Sequence, residues 1–425
     1  MTPYSCKTAQ ELQNAYEAAL EDFQACKARG LNLNMARGKP SRQQLDMVSD
    51  ILTVLQRPED CFDEGLDARN YGELAGLPCA RKYWAEILGC RPEQTFVGGA
   101  ASLNMMFDVI SRAYTHGLLH SVRPWCKEEK VKFLCPSPGY DRHFHISEFF
   151  GTELVTVPMT DEGPDMDAVE ELIKDPAVKG MWCVPKYSNP TGIIFSDAVV
   201  ARIAAMKPAA PDFALIWDNA YCIHEFEGVF VPFPDILSLC EQNGNGDMVF
   251  EFASTSKITF AGGGVSVMAA SENNIAYFTG VFGIQMISYD KVNQLRHVRY
   301  LKDLPHTLEI MKGHAAIMAP KFKLVADRLE KEVDPLGFTH WVRPKGGYFI
   351  SLDTMPGTAK RALALCKEAG VTMTPAGATF PYGKDPNDSN IRIAPSLPPL
   401  EELDKAMDVF ITCLKLAALE KLLNK

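Results

Sequence analysis

The sequence predicts an α/β fold in which a mainly parallel sheet is flanked by helices and accompanied by a smaller, discontinuous α+β domain. Three observations predict it. Short apolar runs alternate with helix-like stretches through the middle of the chain, and such alternation implies βαβ units. Those runs lack every-other-residue polarity, so they read as strands buried on both faces. Residues 334–425 then mix short strands with helices, as a second layer would.

Leu12, Tyr16, Ala19, Phe23 and Cys26 recur at three- or four-residue spacing, which predicts a helix over residues 9–29 that stops at Gly30. Residues 31–41 (LNLNMARGKPS) read as a polar loop. A short run at Thr95–Val97 precedes a helix over residues 101–116. The buried strands fall at Val131–Cys135, Glu153–Val157, Val178–Val184, Phe213–Trp217, Met248–Ala253 and Val265–Ala269. Residues 289–333 read as long helices broken near Pro305. Strands at Gly347–Leu352 and Asn390–Ala394 and helices near 357–369 and 399–421 complete the chain. The first helix can join this last part. That divides the chain into an N-terminal arm with part of the small domain (1–45), a large domain (46–300) and a small C-terminal domain (301–425).

Composition narrows the function. The 425 residues are 47% apolar and 23% charged, ordinary values for a soluble globular protein. Lys and Arg total 43 against 53 Asp and Glu, a net charge of -10. An acidic balance speaks against bulk binding to nucleic acid or an anionic membrane. No run approaches the roughly 18 apolar residues of a membrane span, and the first residues lack a signal-peptide pattern. The twelve cysteines form no C-x-x-C and no zinc spacing, so they read as free thiols in a reducing, cytoplasmic compartment. His143 and His145 lack a third ligand, and no metal is expected.

Ligands of an open α/β sheet bind beyond the carboxyl ends of its strands. MWCVP is followed by Lys186-Tyr187-Ser188-Asn189-Pro190-Thr191-Gly192, FALIW by Asp218-Asn219-Ala220-Tyr221, and MVFEFA by Ser254-Thr255-Ser256-Lys257. Singly, these have plain readings: a turn, a helix N-cap, a solvated lysine. Together they put an amide, a carboxylate, a phenol and an amine at one sheet edge, which is the set that pyridoxal phosphate needs. A lysine amine forms a Schiff base with an aldehyde and can move a proton. A carboxylate beside a pyridine nitrogen favours its protonated form. Asn and Tyr can hydrogen-bond the ring oxygen. A phosphate needs backbone N–H groups at a helix start, and Gly98-Gly-Ala-Ala-Ser-Leu103 lies between a strand and a helix. Ser102, Ser254 and Ser256 can add hydroxyl donors.

These segments resemble fold-type I, pyridoxal-phosphate-dependent class I aminotransferases, and more narrowly a divergent subgroup of bacterial aspartate aminotransferases. The resemblance spans residues 30–420. It is carried by YSNPTG (187–192), DNAY (218–221), STSK (254–257) and TPAGATFPYGKDPNDSNIRIAPS (374–396), with MARGKPS (35–41) and RNYGELAGLP (69–78) supporting the subgroup. It implies that Lys257 is the Schiff-base lysine, Asp218 the partner of the pyridine nitrogen, and Asn189 and Tyr221 the ligands of the ring oxygen. Tyr140 would stack on the ring, with His143 supporting Asp218. Gly99, Ala100, Ala101 and Ser254 would hold the phosphate. Tyr71 would reach the phosphate of a neighbouring subunit, which implies a homodimer with shared active sites. Arg392 would grip the substrate α-carboxylate as a bidentate fork, and Gly38 would border the substrate.

One position departs from that pattern. The usual phosphate-binding arginine, eight residues after the lysine, is Val265, in the run Ala261-Gly-Gly-Gly-Val-Ser266. The glycines can let backbone amides approach an anion instead.

The resemblance implies an aminotransferase with a ping-pong, Schiff-base mechanism between an amino acid and a 2-oxo acid, with L-aspartate and 2-oxoglutarate as the expected pair. Arg37, Lys39 and Arg296 are candidates for binding a distal carboxylate. A lyase or decarboxylase on the same fold is the alternative, since fold does not fix chemistry. Arg392 favours transamination, because an α-carboxylate held in the ring plane is spared from loss. A non-enzymatic sensor is disfavoured, since no helix-turn-helix accompanies the fold.

Overall fold

The computed structural model describes residues 2–425. Its main sheet has eight strands in the spatial order Thr95–Val97, Ser266–Ala270, Val249–Ser254, Ala214–Asp218, Val178–Cys183, Lys132–Ser137, Glu153–Thr160 and Gly163–Pro164. The five strands from 249–254 to 153–160 run parallel. Ser266–Ala270 runs antiparallel to both its neighbours, and Gly163–Pro164 is an antiparallel edge. The mainly parallel sheet expected from the apolar runs is therefore present.

Several strands sit a residue or two later than their apolar runs. Pairing continues past the last apolar residue, as where Phe252 pairs with Asp218, so Asp218 and Ser254 close their strands rather than follow them. Helices cover both faces of the sheet, whose side chains form two cores. One contains Leu134, Met181, Leu215 and Trp217, the other Phe133, Trp182, Ile216 and Phe252. Alternation along each strand divides them, as two-sided burial requires.

The helix Ala9–Ala28 begins at a reciprocal cap between Thr8 and Glu11 and buries Ala19, Phe23 and Cys26. It packs into a third core with the helix Leu400–Leu422 and the three-stranded sheet formed by His340–Trp341, Ile350–Asp353 and Asn390–Ile393. Leu33–Asn34, read as loop, pairs in parallel with Val371–Thr372. Two residues are too few to carry a strand pattern. The break between the long helices, expected near Pro305, falls at Lys302 (φ 62°). Asp303 caps the helix Leu304–Glu332, and Pro305 occupies its first turn, where a missing N–H leaves no bond unmade. That helix spans two cores, with Met311 in one and Met318, Phe322 and Val325 in the other.

Candidate active site

Asp218 ends a central strand and is buried. His143, on the helix Asp141–Phe149, donates from Nε2 to Asp218 Oδ2 at 3.0 Å. Trp182 stacks on the His143 ring (4.4 Å between centroids, 9° between planes) and Tyr140 meets it edge-on at 4.9 Å. Asp218 Oδ1 is buried with no hydrogen-bond partner among the described residues. A buried carboxylate oxygen left unpaired is costly, so this atom fits a ligand that brings an N–H donor, above all a cationic one.

Lys257 follows the next strand in the short turn Thr255–Lys257. Its Nζ lies 5.1 Å from the Tyr221 ring centroid and 5.5 Å from that of Tyr348. Burial pushes the amine below its ordinary pKa, while the Asp218 carboxylate pulls it back up. The two tyrosine rings stack at 6.0 Å, and burial holds the Tyr221 phenol well above its usual range. Gln44 Nε2 donates to Tyr348 Oη (3.0 Å) and to His314 Nδ1 (3.1 Å). His314 Nε2 donates to the carbonyl of Ile258, the residue after the lysine. Nothing in the sequence pattern signalled Gln44, His314 or Tyr348, which come from three separate segments.

Asn189 lies in the loop after Val178–Cys183, preceding a cis proline, and is buried. Its Oδ1 accepts from Arg392 Nη1 at 3.3 Å. Arg392, 8% exposed, also donates from Nη1 to Asp141 Oδ1 (3.1 Å) and from Nε to Thr374 Oγ1 (3.4 Å). Its guanidinium rests 4.9 Å from the Phe349 ring centroid. Gly38 adjoins that ring so closely that a Cβ there would meet Phe349 Cζ at 2.4 Å. Thr374 Oγ1 in turn donates to Ala36 O, fastening the loop that carries Gly38.

Gly99, Ala100 and Ala101 form the turn between Thr95–Val97 and the helix Ser102–Thr115. Ala101 caps that helix without a side-chain bond, so its first N–H groups are available to an anion. Ser254 Oγ donates to Ser256 Oγ (3.1 Å), and Ser256 Oγ to Ala100 O (3.2 Å). Both serines therefore border the turn. Ser102 is buried in the first helical turn. Val265 is buried too, with its N–H on Thr255 Oγ1 at 2.9 Å.

Among the described residues, the remaining candidates make no side-chain bond to this group. Tyr71 is 80% exposed, and among the described residues only its backbone N–H is bonded, to Asn70. Arg37 and Lys39 are exposed in the loop on either side of Gly38. Arg296 lies on the helix Lys291–Leu301, where it donates to Asn293 Oδ1.

The family profile described as aspartate amino-transferase matches residues 7–425. The chain belongs to this family. It is 49% identical over 409 residues to an aspartate aminotransferase of Corynebacterium glutamicum, covering 96% of this chain and 95% of the relative. A crystal structure of an aspartate transaminase from that organism superposes with a TM-score of 0.96 at 48% identity, covering 98% of each chain. An α-aminoadipate aminotransferase from Thermus thermophilus, complexed with N-(5′-phosphopyridoxyl)-L-leucine, shares the fold at 22% identity (TM-score 0.71, covering 95% of this chain and 98% of that one). This member of the aspartate amino-transferase family is thus an aminotransferase of fold type I. Among the described residues, no helix is long and apolar enough to cross a membrane.

Proposed function

We propose that the chain is a cytoplasmic, homodimeric aspartate aminotransferase that binds pyridoxal phosphate and exchanges the amino group between L-aspartate and 2-oxoglutarate. The observation that carries the cofactor reading is the unpartnered Asp218 Oδ1 at the same sheet edge as Lys257. The substrate pair rests on the 49% identical relative. The division at residues 45 and 300 is part of the same proposal.

Pyridoxal phosphate, when bound, supplies an electron-withdrawing ring conjugated to the substrate's α-carbon. Asp218 would hold the proton on the pyridine nitrogen, and His143 fixes the rotation of that carboxylate. Asn189 and Tyr221 would donate to the ring oxygen, and Tyr140 would cover one ring face. The N–H groups around Gly99, Ala100 and Ala101, with Ser254, would hold the phosphate, joined by Tyr71 of a second copy. Lys257 would anchor the cofactor and then, as a free amine, take the α-proton and return it to the cofactor carbon on the far side of the transferred nitrogen. Its lowered pKa favours the neutral, proton-accepting form. Arg392 would hold the α-carboxylate beside Gly38. That leaves the α-hydrogen, rather than the carboxylate, as the group to be lost.

The test is an absorbance titration. Purified protein should show the visible band of a lysine-linked cofactor, lose it with L-aspartate and regain it with 2-oxoglutarate. A band that never converts would indicate a lyase or a sensor. Lys257→Ala should abolish both the lysine-linked band and turnover; full turnover in that variant would overturn the site.

A further inference from the structure

A phosphate monoester brings close to two negative charges, and the cofactor reading leaves them without the usual arginine, because Val265 occupies its place. The structure offers another cation. Gly264 packs against the phosphate turn, so that a Cβ there would lie 2.9 Å from Ala100 O. The adjacent Gly263 faces Arg296, whose Nη2 lies 3.8 Å from the place of its missing Cβ. Asn293 ties these parts together. Its Nδ2 donates to Gly263 O (3.1 Å) and Gly264 O (2.9 Å), and its Oδ1 accepts from Arg296 Nη2. His297 bonds Thr259 Oγ1 at 2.9 Å, fastening the same helix to the lysine loop.

Arg296 has the marks of a cation awaiting an anion. Its Nε is buried and bonded to nothing, and no carboxylate lies within 4.0 Å of its guanidinium among the described residues. Most arginines of this chain, by contrast, pair with a carboxylate, as Arg328 does with Asp404 and Asp408. Gly263 and Gly264 keep side chains out of the space between Arg296 and the turn.

We propose that Arg296 supplies the counter-charge for the cofactor's phosphate across the Gly263–Gly264 turn, replacing the side chain absent at Val265. This rests on the pyridoxal phosphate reading. It assigns Arg296 to the cofactor rather than to a substrate's distal carboxylate.

The experiment uses enzyme stripped of cofactor and titrated separately with pyridoxal phosphate and with pyridoxal, which lacks the phosphate. The visible band and tryptophan fluorescence report binding. Arg296→Gln should weaken pyridoxal phosphate binding roughly ten- to hundredfold, as loss of a charged hydrogen-bonding partner does, and leave pyridoxal binding unchanged. Arg296→Lys should recover part of the loss, and wild type should show the steeper salt dependence. Equal weakening of both ligands would mean a structural role and overturn the proposal. Unchanged pyridoxal phosphate binding with weaker binding of aspartate than of alanine would move Arg296 to the substrate. If wild type formed no band with either aldehyde, the cofactor reading itself would fall, and the role of Arg296 with it.

Discussion

His143 Nε2 sits 3.0 Å from one oxygen of Asp218, while the other oxygen is buried and unbonded among the described residues. The pair is half of an arrangement: one oxygen anchored from behind, one aimed forward. Removing the forward charge should cost more than removing the anchor. Asp218→Asn should lower kcat about ten- to hundredfold or more, the range for losing a charged hydrogen bond. His143→Phe should lower it less and leave the KM for aspartate nearly constant. Steady-state kinetics on both variants decides this, and a larger defect in His143→Phe would reverse the roles.

Arg392 should be sensitive to shape as well as charge. Arg392→Lys keeps the cation but loses the planar fork. KM should rise about tenfold or more for every amino acid tested, whatever its side chain. Asp141→Asn, which loosens one ligand of Nη1, should have a smaller effect in the same direction. Unaltered KM values in Arg392→Lys would place the carboxylate elsewhere.

Gly38 has no room for a methyl group. In Gly38→Ala the new Cβ would overlap the Phe349 ring, which must then move, and Arg392 rests on that ring. A displacement near 1 Å at a binding group can cost about a hundredfold in rate. We expect a folded protein with a strongly raised KM. A crystal structure of the variant with Phe349 and Arg392 unmoved would sink the explanation.

Glu251 gives a prediction about stability. It is buried in the strand Val249–Ser254, and burial raises its carboxyl to about 8. Asn219 Nδ2 donates to it at 2.8 Å, while Asn219 Oδ1 has no partner among the described residues. Between pH 4.5 and about 8 the folded state holds a proton that the unfolded state has released. Stability should therefore fall as pH rises through that window. Glu251→Gln removes the dependence and can donate to Asn219 Oδ1. Its advantage over wild type should grow from near zero at pH 5 to a few kcal/mol at pH 8.5, at about 1.4 kcal/mol per pKa unit. Urea unfolding at the two pH values measures it, and parallel curves for both proteins would contradict it.

Asp218, Asn189 and Lys257 were legible in the sequence because each follows a short apolar run, and strand direction sends such residues to one edge. The connections behind them were not. Asp141 reaches Arg392 and Gln44 reaches His314 across most of the chain. Neither pair has a local spacing to betray it. The link between Asn293 and the glycine run is through backbone carbonyls, which any sequence has. Arg37, Lys39 and Arg296 were equivalent as charges; only packing distinguishes the third, by setting it behind Gly263.

The parallel pairing of Leu33–Asn34 with Val371–Thr372 bears on how the molecule is made. A ribosome adds about 5–20 residues per second. The apolar face of the first helix, with Phe23 and Cys26, therefore waits roughly 20–80 s for the C-terminal helix against which it will pack. Meanwhile the central sheet can assemble from neighbouring segments. Gly38 and Arg392 are widely separated along the chain and can meet only after residue 392 has been made. A chain that stopped short of residue 371 would contain all eight strands of the main sheet but would lack both Arg392 and the helix that covers Phe23 and Cys26.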